Sequence, residues 1–493
     1  MTQFSKNRFH ILFALAMGLV WTWPMPSFAN KPGDSLWYDF KFHGNKVGFL
    51  QAHDAQIQEQ GKTLHYAYRR SVIVVRRQSH NMRIEAVTEA WSEPSGRPKR
   101  FVHRRVENNA QRVVTGERKG NKFLVVHRAG QTETKKAFNL ADNVYLSSSL
   151  DFHVKRVLKS GQKISGQVIV EEDGALRPFK LTHKGQDKAG LIMVAASIAS
   201  IESDEWLNSK GVVQRSVVPR LGAEFIQTTR EKALVMGQTQ DIFSDARLSS
   251  GTRLPPGNTL SKITLRLEGH SSKRPGVIND SRQKVKVNSK NTVTVTIESS
   301  VPPVRPAKLP MRKKRLKKFL LATPFESLSD KKLIAKSQEI VGKSKNSWTV
   351  AKKINAFVFA HIKDKSLAHA FSSATEALNS KEGDCTEHSV LFSALAKIAG
   401  IPTKLITGLV YVGGPEGIFG YHQWVEVWLG DRWVAMDPTF GQHVADPTHI
   451  KFTEGLSDSQ GLRDAGIAAA ELFGDMKIKI LDYTRTNGKR VRP

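Results

Sequence analysis

The sequence predicts an α+β protein: a β-rich antiparallel front half followed by a back domain of helices and a β-hairpin. Three observations predict it. From Leu36 onward, short apolar runs alternate with turns rich in Gly, Asn and Pro, the pattern of antiparallel strands. Near residue 390 the period changes, and apolar residues recur at spacings of three and four, as on a buried helix. Residues 421–438 then read as strand, two-residue turn and return strand. With 493 residues, 40% hydrophobic and 24% charged, the composition is globular. It excludes a wholly disordered chain, a collagen and a multi-span membrane protein.

The first element is a short leader. Lys6 and Arg8 precede the unbroken apolar run Ile11–Trp21, Pro24 and Pro26 end it, and Ser27-Phe28-Ala29 follows. This order predicts a secretory signal over 1–29, cleaved after Ala29. The run is short for a bilayer span, and an uncleaved anchor is the alternative. The single cysteine, Cys385, excludes an internal disulfide framework and a Cys-rich zinc module. Export implies a periplasmic or secreted protein in an oxidising compartment, where a lone thiol is either inertly buried or reactive.

Residues 30–300 follow as a basic β-rich domain, whole or in two subdomains. Strand-like runs at Leu36–Phe42, Val47–Gln58 and Leu64–Arg77 alternate with turns such as His43-Gly44-Asn45, Ser95-Gly96-Arg97-Pro98 and Lys119-Gly120-Asn121. Further runs lie at Gln167–Glu171, Gly190–Ala196 and Ile263–Glu268, and a short helix is expected within 140–160. His43, His53, His65, His103 and His127 are scattered through these runs and read as packing or surface residues. The half carries no catalytic constellation.

Charge divides the chain. Of the net +30, residues 325–493 hold only +2 (21 Lys and Arg against 19 Asp and Glu), the leader holds +2, and residues 30–324 hold +26. The basic front suits a polyanion outside the cytoplasm, an acidic glycan or lipid head group, and a solvated surface that keeps the protein soluble is the alternative. No zinc, helix-turn-helix or RNP-like pattern supports nucleic acid as a partner. Residues 301–324 have four prolines within 301–310 and six basic residues within 312–318. They read as an interdomain linker, stiffened by proline, extended by like charge and open to proteolysis.

The chemistry lies in 325–493. In Glu382-Gly383-Asp384-Cys385-Thr386-Glu387, Asp384 and Glu387 have capping-box spacing, which starts the helix at Cys385. Gly400 and Pro402 end it. A thiol on the first helical residue meets the positive end of the helix dipole, which favours thiolate, and N–H groups suited to an oxyanion. The nucleophile needs a base. If Gly430-Asp431 is a two-residue turn, paired residue numbers sum to 861. Asp437 then becomes the diagonal neighbour of His422 on one face. His388, one turn from Cys385, is the rival base. His443, Asp446 and His449 fit no zinc spacing and read as polar loop groups. Trp424, Trp428 and Trp433 read as core.

Gly383-Asp384-Cys385, Tyr421-His422-Gln423-Trp424-Val425-Glu426-Val427 and Trp433-Val434-Ala435-Met436-Asp437-Pro438-Thr439 together resemble the three motifs of the transglutaminase-like superfamily. Ala399–Lys404 resembles its helix-to-strand junction. The resemblance covers about 325–455 and leaves 30–300 unmatched. It implies a papain-like fold with Cys385 as nucleophile, His422 as general base and acid, and Asp437 orienting the imidazole, without metal or organic cofactor. Gln423 stands where relatives commonly have Ala.

These readings give an exported thiol enzyme that forms a Cys385 thioester from a peptide or protein amide, as a peptidase or amidase. A crosslinking acyltransferase is the alternative, because the acceptor decides between the two. A non-catalytic module holding an envelope polyanion is the second alternative, and an intact Cys–His–Asp set argues against it.

Overall fold

The computed structural model describes residues 35–493 except 78–79, 108–109, 130–131, 156–157, 199–200, 237–246, 270–275, 324, 365–371 and 457–475. The expected signal at 1–29 lies outside the described residues. The remainder is β-rich and holds three sheets.

The front sheet has fifteen strands in two runs of antiparallel neighbours, with Val144–Leu146 added parallel to Lys163–Val170 at one edge. One runs from Leu36–Phe42 through Asn45–Glu59 and Lys62–Arg77 to Thr132–Asn139. The other runs from Val144–Leu146 to Ala223–Thr228, and that last strand pairs antiparallel with Leu36–Phe42. The turns fall where Gly and Asn signals predicted them, because these residues accept the backbone of a tight reversal at low cost. The short helix expected within 140–160 is Leu150–His153. Its Phe152 stacks on His65. His65, His103 and His127 are buried, as packing residues. One polar cluster was not foreseen: His65 bonds Asp54 at 3.0 Å, and Ser92 Oγ bonds His153 at 2.9 Å.

The second sheet carries Leu248–Ser249, Ile418–Trp428, Thr403–Gly413 and Ile450–Gly455 in that order, with Trp433–Met436 pairing Ile418–Trp428. The third joins Gln283–Val287, Thr292–Glu298 and Leu260–Glu268 to Lys477–Arg485 and Arg490–Val491. Sheet pairing therefore crosses the boundary read at 301–324: strands from both sides of it share a ladder.

That segment is docked onto the back domain. Ala307 N–H donates to Leu429 O at 2.8 Å, Leu309 N–H to Lys345 O at 2.8 Å and Met311 N–H to Gly400 O at 3.1 Å. Leu309, Met311 and Leu316 are buried. Apolar residues spaced among the prolines and lysines override the extension that composition alone suggests.

The strand Ile418–Trp428 links two cores. Phe419 packs with Ile263, Leu265 and Ile480 of the third sheet. Val425 and Val427 pack with Leu333, Val350, Ile354 and Leu391 of the helices. His422 lies on the strand between these two anchored ends, and rigidity there favours a fixed side chain.

Candidate active site

The helix is Cys385–Ile398, starting where the Asp384 cap predicted. Asp384 Oδ1 accepts from the Thr386 N–H at 2.6 Å, and Glu387 Oε2 accepts from the Asp384 N–H at 3.0 Å, closing the capping box. Gly383 precedes it at φ +147, and a Cβ there would lie 2.4 Å from the Glu387 side chain. Only glycine lets Glu387 fold back onto the cap. Gly400, at φ +81, ends the helix as expected.

Residues 385–397 are all buried, Cys385 included, at 8% exposure. Burial and the adjacent Asp384 charge push the Glu387 carboxyl well above the usual range. The shift favours the neutral acid, which lessens the negative charge at the helix start. That matters to a neighbouring thiol, because a second anion would oppose the thiolate.

The hairpin has the register expected from a two-residue turn. Val425 pairs Met436, Glu426 pairs Ala435, Val427 pairs Val434 and Trp428 pairs Trp433. Leu429 N–H donates to Arg432 O at 3.1 Å across the turn. One step beyond the ladder, His422 Nε2 donates to Asp437 Oδ2 at 2.8 Å. With Nε2 committed to the carboxylate, Nδ1 is the nitrogen left to exchange a proton with a thiol. The helix is held to this strand by Ser389 Oγ, which donates to Gln423 O at 3.2 Å. Ser389 lies one turn after Cys385 on the same helix face.

His388, the rival base, is fully buried, and its Nδ1 donates to Asp384 O at 2.6 Å, one turn back on its own helix. Trp424 is fully buried, as read from the sequence.

Two residues of this neighbourhood were missed. Phe440 is 41% exposed, yet its ring stacks on the imidazole of His422, with centroids 4.8 Å apart and planes 8° from parallel. His449, read as a polar loop group, is completely buried. Its Nε2 donates to Asp437 Oδ2 at 3.0 Å, and its Nδ1 faces Asp446, 3.1 Å from the carbonyl and 3.3 Å from Oδ1. No local pattern marks His449; only its spacing of three from Asp446 hints at contact.

Asp437 is saturated. Oδ2 accepts from both imidazoles, and Oδ1 accepts from the N–H groups of Thr439 at 2.7 Å and Phe440 at 3.2 Å. Burial works to raise its carboxyl, but the charges and hydrogen bonds of His422 and His449 hold it well below the usual range. Burial likewise opposes charge on His449, and its bonds to Asp437 and Asp446 outweigh this, raising it to about 9.

His422, Asp437 and His449 bring three ligand-type atoms within 4.8 Å of one another. Two imidazoles and a carboxylate are a chemically suitable metal set. Here each Nε2 spends its N–H on the carboxylate, so the arrangement is a proton-bearing network. Behind it, Arg282 donates to the carbonyls of His449 at 2.8 Å and Asp446 at 2.5 Å. Lys451 is held by Glu426, Asp280 and Glu454 at 2.9, 2.9 and 2.6 Å.

No curated protein matches the chain. Among solved structures, a candidate cysteine protease from Cytophaga hutchinsonii is 16% identical, with 48% of this chain and 86% of that one covered, at a TM-score of 0.31. A β-barrel-like domain of unknown function from Brucella abortus is 8% identical, with 40% of this chain and 95% of that one covered, at 0.28. A candidate protease from Parabacteroides distasonis is 11% identical, with 70% and 69% covered, at 0.18. Residues 334–438, the stretch that holds Cys385, His422 and Asp437, match the Transglutaminase-like superfamily.

Proposed function

We propose that the protein is an exported thiol enzyme that breaks an amide bond through a Cys385 thioester, acting as a peptidase or amidase. The observation that carries this is the His422–Asp437 hydrogen bond of 2.8 Å, on a strand tied by Ser389 to the helix that begins at Cys385.

In this reading the Cys385 thiolate attacks the amide carbonyl carbon, and a C–S bond forms as the carbonyl electrons move to oxygen. The helix start supports that oxyanion. The intermediate collapses, the C–N bond breaks, and the amine leaves with the proton from His422 Nδ1. Nδ1 then takes a proton from water, hydroxide attacks the thioester, and the acid and the thiolate are released. Asp437 keeps Nε2–H oriented throughout without itself accepting the proton. Hydrolysis is favoured over crosslinking because water is abundant.

Export and polyanion docking belong to the same proposal. The first rests on the leader at 1–29 and the second on the +26 of residues 30–324. Hydrolysis of a casein or small-amide panel by the purified protein, with Cys385→Ala as control, tests the chemistry. Amide cleavage that survives Cys385→Ala refutes it.

A further inference from the structure

We propose that His449 is a positioning residue of this site: a fixed imidazolium that shares Asp437 with His422 and sets the pH range in which Cys385 is a thiolate. The inference rests on the reading of Cys385, His422 and Asp437 as the reacting set.

The geometry carries it. An imidazole with an ionised carboxylate at each nitrogen must donate from both, because a carboxylate only accepts. His449 is in that position, with Asp437 at Nε2 and Asp446 at Nδ1. Asp446 is itself fixed by the N–H and hydroxyl of Thr448, at 2.9 and 2.6 Å, and by Gln442 Nε2 at 2.8 Å. His449 cannot rotate away, being fully buried against Trp424, with ring centroids 5.2 Å apart and planes 77° from parallel.

The consequence is electrostatic. Asp437 divides its negative charge between His422 and the His449 cation, so the site keeps a fixed positive charge beside the reacting imidazole, and positive charge nearby favours a thiolate. The charged groups facing His449 are Asp437, Asp446, His422 and Arg282. Beyond them, Lys451 is balanced by Glu426, Asp280 and Glu454.

Removing a cation raises the proton affinity of every group near it. The His422 and His449 rings are 5.8 Å apart. At an effective dielectric of about 20, a unit charge at that distance is worth up to about two pH units to a titrating group.

The test uses the full chain and its single cysteine. Iodoacetamide alkylation of wild type and His449→Gln is followed from pH 4 to 10. The expected result is a midpoint raised by about one pH unit in His449→Gln, with the high-pH plateau rate within about twofold of wild type. An unmoved midpoint overturns the proposal. So does a plateau that collapses without a shift, which marks a merely structural residue. If the variant does not fold, 15N-histidine spectra of the wild type decide. An imidazolium still protonated at both nitrogens at pH 8 supports the proposal, and the absence of one refutes it. Alkylation needs no substrate, so failure of the amide-hydrolysis reading, seen separately in the Cys385→Ala comparison, is distinguishable from failure of this one.

Discussion

Ser389 Oγ donates to the backbone carbonyl of Gln423 at 3.2 Å, joining the helix that begins at Cys385 to the strand residue next to His422. Ser389 is fully buried, so the bond is sheltered from water. It is a direct link between the two elements that carry the expected nucleophile and base. Ser389→Ala is predicted to lower stability by roughly 1 kcal/mol, the usual value of one such bond. It should also slow iodoacetamide labelling of Cys385 by about tenfold, because small displacements in a reacting pair are costly. Urea unfolding and labelling rates check both numbers.

Glu387 gives a prediction with the opposite sign. Its folded carboxyl is held well above the usual range by burial and by Asp384. Stability from such an acid is present below its unfolded pKa, and it declines as pH rises from there toward the folded value. Above the unfolded value the protein therefore bears the cost of the raised carboxyl. Glu387→Gln should be neutral or stabilising at pH 7 and mildly destabilising at pH 4. Glu387→Ala should destabilise at both, since it orphans the N–H groups of Ser372 and Asp384, which now donate to the carboxyl at 2.9 and 3.0 Å. Unfolding curves at the two pH values separate the cases.

His449 predicts a loss of stability in mild alkali. Its folded pKa is raised from 6.5 to about 9 by Asp437 and Asp446 against burial. Stability from a raised histidine is complete below 6.5 and disappears as pH climbs through about 9. The wild type should lose on the order of 3 kcal/mol over that window. His449→Gln should lose little over the same window, whatever its stability at pH 6. Denaturant midpoints at pH 6, 7, 8 and 9 give the comparison.

Lys451 is only 1% exposed and neutralises a nest of acids: Glu426, Asp280 and Glu454. Lys451→Met removes the cation shared by all three acids and leaves Lys404, 2.8 Å from Glu454 and 3.3 Å from Glu426, as the remaining lysine. A loss of about 3–5 kcal/mol is expected, the usual cost of breaking a buried pair from one side. The double variant Lys451→Met, Glu426→Gln should recover part of it. Thermal unfolding of the two variants is the measurement.

The parts of the structure legible in the sequence were those fixed by near neighbours. The start of the Cys385 helix follows from Asp384 and Glu387, three residues apart. The hairpin register follows from Gly430-Asp431, and it brings Asp437 to His422. The illegible parts depend on distant partners. His449 enters the network because Ile450–Gly455 pairs with Thr403–Gly413, which no local period announces. Leu260–Glu268 pairs with Lys477–Arg485 across more than two hundred residues, and nothing in either strand names the other. The 301–324 segment misleads for another reason. Proline and charge describe its backbone, whereas Leu309, Met311 and Leu316 decide where it rests.

The proposed function requires His422, oriented by Asp437, to be the base that serves Cys385. The most direct test compares His422→Ala with His388→Ala, reading iodoacetamide labelling of Cys385 at mildly acidic pH together with amide hydrolysis. His422→Ala is expected to slow labelling and to lower hydrolysis by at least about a hundredfold, the usual loss with a general base. His388→Ala should leave both largely intact. Loss of both in His388→Ala, with His422→Ala unaffected, would make His388 the base instead.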